Sequence, residues 1–311
     1  MKAFKKSDKI LIVGGTGFIG GHLAQRCLKD TPNVSALGLK EGSFGLRLLS
    51  KAEKIHIDVR DKTLLKRTIC KRDFNYIFNL GGYIDHAPYF NSGREVIETH
   101  FVGLMNLLDC IDKKALKGFL QIGSSDEYGS APAPQKEALR EMPIAPYSFA
   151  KTALAYFIQM LYRAENFPGA VVRCFLVYGP GQNESRFLPQ IIKACLRGED
   201  FKTSAGRQLR DFCYVEDVVE GMVKAILSPG ARGKIINIAS GVPVSIKDMI
   251  NKVVTILGSG KPLWGKHSYR RGENMALYAD ISLARKLIGW QPSTCLDEGL
   301  KKTISWYKQR I

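Results

Sequence analysis

No apolar run in this chain approaches the roughly 20 residues that a membrane-spanning helix needs. The opening stretch, MKAFKKSDKILIVGG, is basic, but only about four apolar residues precede its glycines. That is too few for the roughly 7–15-residue core of a secretory signal. A soluble, cytoplasmic protein is expected. Seven cysteines stand at 27, 70, 110, 174, 195, 213 and 295 without a CxxC pair, and no Cys/His cluster has zinc spacing. Reduced thiols and no metal site are therefore expected. Acidic residues are in short supply, 29 Asp and Glu against 46 Lys and Arg, for a formal charge of +17. The basic residues are spread out, and no recognition-helix pattern accompanies them, so a nucleic-acid partner is not expected. A site for an anionic small molecule such as a diphosphate is the more specific use of that charge. Repeats and low-complexity linkers are absent too, and 311 residues at 45% apolar are enough to bury a sizeable core.

What is present is alternation. Short apolar runs at 9–13, 33–37, 54–57, 75–80, 117–122 and 169–175 read as strands. Segments of helical periodicity at 61–71, 93–112 and 147–165 lie between them. Strands alternating with helices predict an α/β fold, a doubly wound parallel sheet covered on both faces. After about residue 176 the pattern loosens into helices expected at 186–197, 215–228, 245–257, 282–288 and 296–309. The expected division is 1–175 for a cofactor domain and 176–311 for a smaller, mostly helical substrate lobe.

GGTGFIG at 14–20 follows a strand and opens a helix. Gly14, Gly17 and Gly20, with Gly15 giving a second spacing, let the backbone turn tightly against a pyrophosphate at the helix N-terminus. Phe18 and Ile19 complete the loop. The second strand ends SALGLKEG, with no acid at the strand end and Lys40 just beyond Gly38. A basic residue there suits a 2′-phosphate, so NADP(H) is favoured, with NAD(H) as the alternative and Glu41 one residue away. The third strand ends IHIDVRD, where Asp58 beside Val59 can hold an adenine amino group or cap the next helix.

PYSFAK sets Tyr147 and Lys151 one helical turn apart on one face. An ammonium and a nicotinamide cation near a phenol lower its pKa, which suits Tyr147 to proton transfer at a sugar or alcohol oxygen. Ser124, at the end of the preceding strand, can share that oxygen.

GGTGFIG, IDVRD, NLGG (79–82), GSSDEYG (123–129), PYSFAK, RCFLVYGPGQ, RQLRDF and RRGE, at these separations, resemble the extended short-chain dehydrogenase/reductase family across essentially the whole chain. Members of that family act on nucleotide-diphosphate sugars as 4-epimerases, 4,6-dehydratases and 4-ketoreductases. The resemblance implies Tyr147 as acid/base, Lys151 as its ribose-binding partner and Ser124 as the catalytic hydroxyl. It implies Leu80, Gly81 and Gly82 at the cofactor. Ser125, Asp126, Arg186, Arg210 and Arg271 are implied at the substrate, and Asp217 is implied to be structural. A homodimer through helices near 93–112 and 147–165 is a further implication. Two departures stand out: Leu176 and His100 occupy positions where the family usually has Asn, and His100 is given no chemical role.

Dehydratases of the family place acids in the turn that reads GSSDEYG here. In this chain the order is Ser124, Ser125, Asp126, then Glu127, and that version resembles the 4-keto-6-deoxy-mannose reductase branch. The expected activity is NADP(H)-dependent reduction of a nucleotide-linked 4-keto-6-deoxyhexose, with Ser124 active and Asp126 and Glu127 outside the chemistry. The alternatives are an NAD-dependent 4-epimerase, or a 4,6-dehydratase using Asp126.

Overall fold

The computed structural model describes residues 3–39, 51–269 and 272–310. Seven strands form one parallel sheet: β1 (Ile10–Val13), β2 (Val34–Gly38), β3 (Glu53–His56), β4 (Tyr76–Asn79), β5 (Gly118–Ser124), β6 (Gly169–Cys174) and β10 (Ile235–Ile238). Their spatial order is β10-β6-β5-β4-β1-β2-β3. Because side chains alternate along a strand, Ile10 and Ile12 of β1 enter one core with the helices Phe18–Leu28 and Val215–Leu227. Leu11 and Val13 enter a second core on the other face, with Leu154 and Ile158 of the helix Pro146–Glu165. Burial on both faces is why these strands read as unbroken apolar runs.

The later part of the chain carries more strand than its pattern suggests. Of the remaining strands, β7 (Leu176–Tyr178), β11 (Pro243–Ser245) and β13 (Ala276–Leu277) all pair with β9 (Leu209–Tyr214), and β8 (Asp200–Lys202) pairs with β12 (Lys261–Leu263). Runs of two to six residues are too short to show a period. Ile235–Ile238 lies beside β6 in the large sheet with all four residues buried. A third core gathers other residues of the later chain, with Tyr178, Phe212, Met249, Ile250, Leu300 and Ile304 among its members. The helices Phe187–Leu196, Ile246–Leu257 and Leu296–Lys308 supply it, each amphipathic at helical spacing.

The segment expected as one helix at 93–112 is Arg94–Ile97, a wide π-type turn Glu98–Val102, and Gly103–Leu108. Such wide turns cluster at functional sites. Among the described residues no helix is long and apolar enough to cross a membrane, and no three metal-ligating side chains converge.

Candidate functional site

β1 lies between β2 and β4, so the strand order reverses there and leaves a crevice at the carboxyl ends. Gly14 leaves β1 at φ +76°, and a Cβ on it would meet the Leu80 carbonyl oxygen at 2.8 Å. A Cβ on Gly20 would lie 2.2 Å from the Gly14 carbonyl oxygen, so only hydrogen lets the helix start this close to the turn. Phe18 and Ile19 form the first turn, and no side chain caps the helix at Gly17. Its leading N–H groups thus remain available to an anion. Leu80 extends the pairing beyond β4, its N–H donating to Val13 O at 2.9 Å, and the Gly81 N–H donates to Asn79 Oδ1. The uncapped helix end and the side-chain-free cradle fit a dinucleotide pyrophosphate.

Asp58 does not cap the helix Lys62–Thr68; Asp61 does, accepting from the Leu64 N–H at 2.9 Å. Asp58 instead grips Arg60, whose hydrogen bonds hold its carboxyl below the usual carboxylate range. Val59 packs where a Cβ on Gly103 would clash, and Asn106 Nδ2 donates to the Val59 and Arg60 carbonyls. Lys40 and Glu41, on which the NADP preference rested, lie outside the described residues, as does Arg271.

Ser124 ends β5, next to the carboxyl end of β4, and caps a short turn, Ser125–Tyr128. Its Oγ accepts from the Asp126 N–H, and its own N–H donates to Glu127 Oε1 at 2.7 Å. Tyr147 and Lys151 come from the first turns of Pro146–Glu165, where a proline starts the helix. Both are buried, at 5% and 4% exposure. Burial and the Asp126 carboxylate push the Tyr147 phenol up, while a hydrogen bond with Ser124 acts the other way. Burial lowers Lys151 to about 8. Its Nζ donates to Ile122 O at 3.2 Å and lies 5.8 Å from the Tyr147 ring centre.

Two histidines flank the phenol. His100, in the wide turn, is 3% exposed and stacks edge-on 5.5 Å from the Tyr147 ring. Its Nε2 bonds Tyr83 O at 2.9 Å, and burial together with the Lys151 charge lowers its pKa to about 3. The ring is therefore neutral and packs against Gly82, where a Cβ would fall 2.0 Å from its Cε1. His86 sits 5.8 Å from Tyr147, with Nε2 2.9 Å from Asp126 Oδ2. Nothing in the spacing of the loop after NLGG singles His86 out, and sequence reasoning missed it.

Glu127 points away from the opening. It is fully buried and bonded to Arg173 Nε at 2.7 Å, while Arg173 Nη2 also bonds Glu141. Ser125 is buried as well, at 3%. Arg210, on β9, bonds Leu209 O and pairs with Glu273, two residues past position 271. Arg186 is exposed at the start of the helix Phe187–Leu196. Leu176 is half-buried on β7. The Asp217 carboxylate accepts from the Ser293 and Thr294 N–H groups and holds that turn.

The family model of the NAD dependent epimerase/dehydratase family matches residues 10–239. Over 97% of this chain and 96% of its own length, a UDP-glucuronate 4-epimerase of Thermodesulfobacterium geofontis is 26% identical. A human dTDP-D-glucose 4,6-dehydratase is 24% identical over 98% and 91%. Among solved structures, the UDP-glucuronic acid 4-epimerase of Bacillus cereus, in complex with UDP-glucuronic acid and NAD, superposes with a TM-score of 0.87 at 26% identity, covering 97% of this chain and 100% of that one. The UDP-glucose 4-epimerase of Thermotoga maritima, with UDP-glucose, gives 0.88 at 25%, covering 97% and 99%. The chain is an enzyme of the NAD-dependent epimerase/dehydratase family, within the extended short-chain dehydrogenases/reductases.

Proposed function

We propose that the enzyme is an NAD-dependent 4-epimerase of a nucleoside-diphosphate sugar, oxidising C4 and reducing it again without net cofactor turnover. The observation that carries this is the grouping of Ser124, Tyr147 and Lys151 at the carboxyl end of β5, beside the glycine cradle. When bound, NAD supplies a two-electron acceptor that takes the C4 hydrogen as hydride and gives it back. Tyr147 takes the C4 hydroxyl proton and returns it, Ser124 orients that oxygen, and Lys151 holds positive charge behind the phenol. The relatives include 4-epimerases, one of them solved with NAD, which supports a recycled cofactor over the net 4-ketoreduction and NADP(H) expected from the sequence. Arg186 and Arg210 lie in the lobe assigned to the nucleotide sugar, where planar guanidinium suits a diphosphate.

We also propose a homodimer through the helices Arg94–Leu108 and Pro146–Glu165. Phe149, Tyr156 and Met160 form an exposed stripe on the second, and Met105 is exposed on the first. A Phe149→Glu change is expected to convert the dimer to monomer in analytical ultracentrifugation.

The test is to denature the purified protein and identify the released nucleotide. UDP- and dTDP-hexoses are then followed for inversion at C4 by NMR. NAD release with inversion supports the reading, and Tyr147→Phe should lower that rate by about 10²–10⁴-fold. Stoichiometric NADPH consumption with a 4-keto-6-deoxyhexose nucleotide would replace it with the ketoreductase.

A further inference from the structure

The edge of the large sheet away from the cleft is basic. Its strands run parallel, so the residues that lead into them share one edge, while the glycine cradle and Ser124 lie at the opposite, carboxyl edge. Lys9 leads into β1, Lys117 into β5 and Lys234 into β10. The Asn75 and Tyr76 N–H groups donate to Lys9 O at 2.9 and 3.2 Å, and the Lys117 N–H donates to Asn75 O at 2.8 Å. Arg232 Nη2 donates to Lys117 O at 3.0 Å. Lys5 and Lys6 stand in the turn before β1, where Thr31 Oγ1 and Asn33 Nδ2 donate to Lys6 O. All six cations are exposed. Asp8, the carboxylate among them, is 2% exposed and pairs with Lys117 at 2.6 Å. Among the described residues no carboxylate pairs with Lys5, Lys6, Lys9, Arg232 or Lys234. Nearby, Lys113 is answered by Glu165, and toward β3 Arg26 is answered by Asp30 and Arg72 by Glu53. The excess charge is therefore local to the entries of β1, β5 and β10.

We propose that this edge docks the enzyme on an anionic phospholipid bilayer, with the cleft facing away from the lipid. Neighbouring strands lie about 4.8 Å apart, so the entries from β10 to β1 extend over about 19 Å. That span suits a charge spread over many headgroups rather than one small ligand. Five of the six cations are lysines, compact and strongly hydrated point charges without the planar fork that grips a single phosphate. The segments KKSDK (5–9), KKALK (113–117) and RGK (232–234) carry no aromatic side chain on which a nucleobase could stack, which argues against a single-stranded nucleic acid. The contact is electrostatic and needs no spanning helix. Screening at physiological salt confines it to about 8 Å, within reach of side chains laid on the surface. Each cation brought to an anionic leaflet strengthens binding about fivefold, so the net five charges compound to on the order of 10³-fold. Docking of this kind leaves the cleft open and does not depend on which reaction the cleft performs.

The experiment sediments the enzyme as purified with phosphatidylcholine vesicles, pure or containing about 30% phosphatidylserine, at about 0.15 M and about 0.5 M salt. Binding to the anionic vesicles alone, lost at the higher salt, is the expected result. The triple change Lys6→Gln, Lys9→Gln, Lys234→Gln should weaken that binding about 10²-fold. A second triple, Lys261→Gln, Lys301→Gln, Lys308→Gln, removes the same charge from exposed lysines elsewhere and should leave binding within about twofold. All six positions are exposed, so both variants should melt with the parent protein. No binding to the anionic vesicles at the lower salt overturns the proposal, and so do equal losses in the two triples. Tighter binding to a single-stranded RNA than to the vesicles overturns it as well, and would assign the edge to nucleic acid.

Discussion

Asp126 and Glu127 are adjacent carboxylates in one turn, and the fold treats them as opposites. Glu127 is fully buried, its two oxygens taken by the Ser124 N–H and the Arg173 guanidinium, with that guanidinium stacked 4.6 Å from the Tyr128 ring centre. Asp126 faces the opening, and its side-chain partner is a half-exposed histidine. Burial pushes the Glu127 carboxyl up, and Arg173 and the Ser124 N–H oppose that. A turn of this kind turns successive side chains in different directions, so one acid joins the core and the other joins the cleft. The inner acid fixes where Ser124 sits; the outer one pairs with His86 near Tyr147. Proximity in sequence therefore says nothing about shared function here.

The sharpest way to break this contrast is to remove the inner cation. Arg173→Met leaves Glu127 and Glu141 buried without their partner and is expected to cost about 3–5 kcal/mol in chemical denaturation. The double change with Glu127→Gln should recover part of that loss. Glu127→Gln alone keeps shape but weakens a charged hydrogen-bond pair, for an expected loss of about 1–3 kcal/mol. Asp126→Asn should behave inversely, moving stability by less than about 1 kcal/mol because the pair is exposed. Equal stability losses in the two variants would erase the distinction.

A pH-dependent effect concerns the cation behind the phenol. Lys151 is depressed by burial from 10.5 to about 8, so the unfolded chain holds that proton more tightly between those values. Stability carried by this group therefore rises as pH increases from about 8 to about 10.5, and the cost of burying the ammonium is fully present below about 8. Over the same rise the ammonium is lost, and activity should fall through a limb near pH 8. Thermal melts and rate profiles in parallel would show opposite slopes. Lys151→Met should abolish the stability slope.

Much of the fold was legible because it is written in long or repeated signals. The strands at 10–13 and 76–79 and the helix at 146–165 appear within one or two residues of where their apolar runs and helical periodicity place them. The glycine cradle was legible for a different reason, since Gly14 and Gly20 are required by contacts that no other residue permits. Ile235–Ile238 escaped because four buried residues carry no period. His86 and the Glu127–Arg173–Glu141 network escaped because each joins segments distant in sequence: 40 residues separate His86 from Asp126, and 46 separate Glu127 from Arg173. Pairings of that kind exist only once the strands are side by side. His100 was visible as a departure, but its contact with Gly82 was not.

The wide turn at Glu98–Val102 carries one residue more per turn than an α-helix. Its extra residue is already absorbed by the wider turn, so removing one there leaves Gly103–Leu108 in place, whereas adding one would rotate that segment by about 100° relative to Arg94–Ile97. Asn106 would then leave the carbonyls of Val59 and Arg60, and Gly103 would no longer face Val59. The length of this helix is thus a gauge for a loop 47 residues upstream, and a one-residue insertion in it is a lesion at the end of β3.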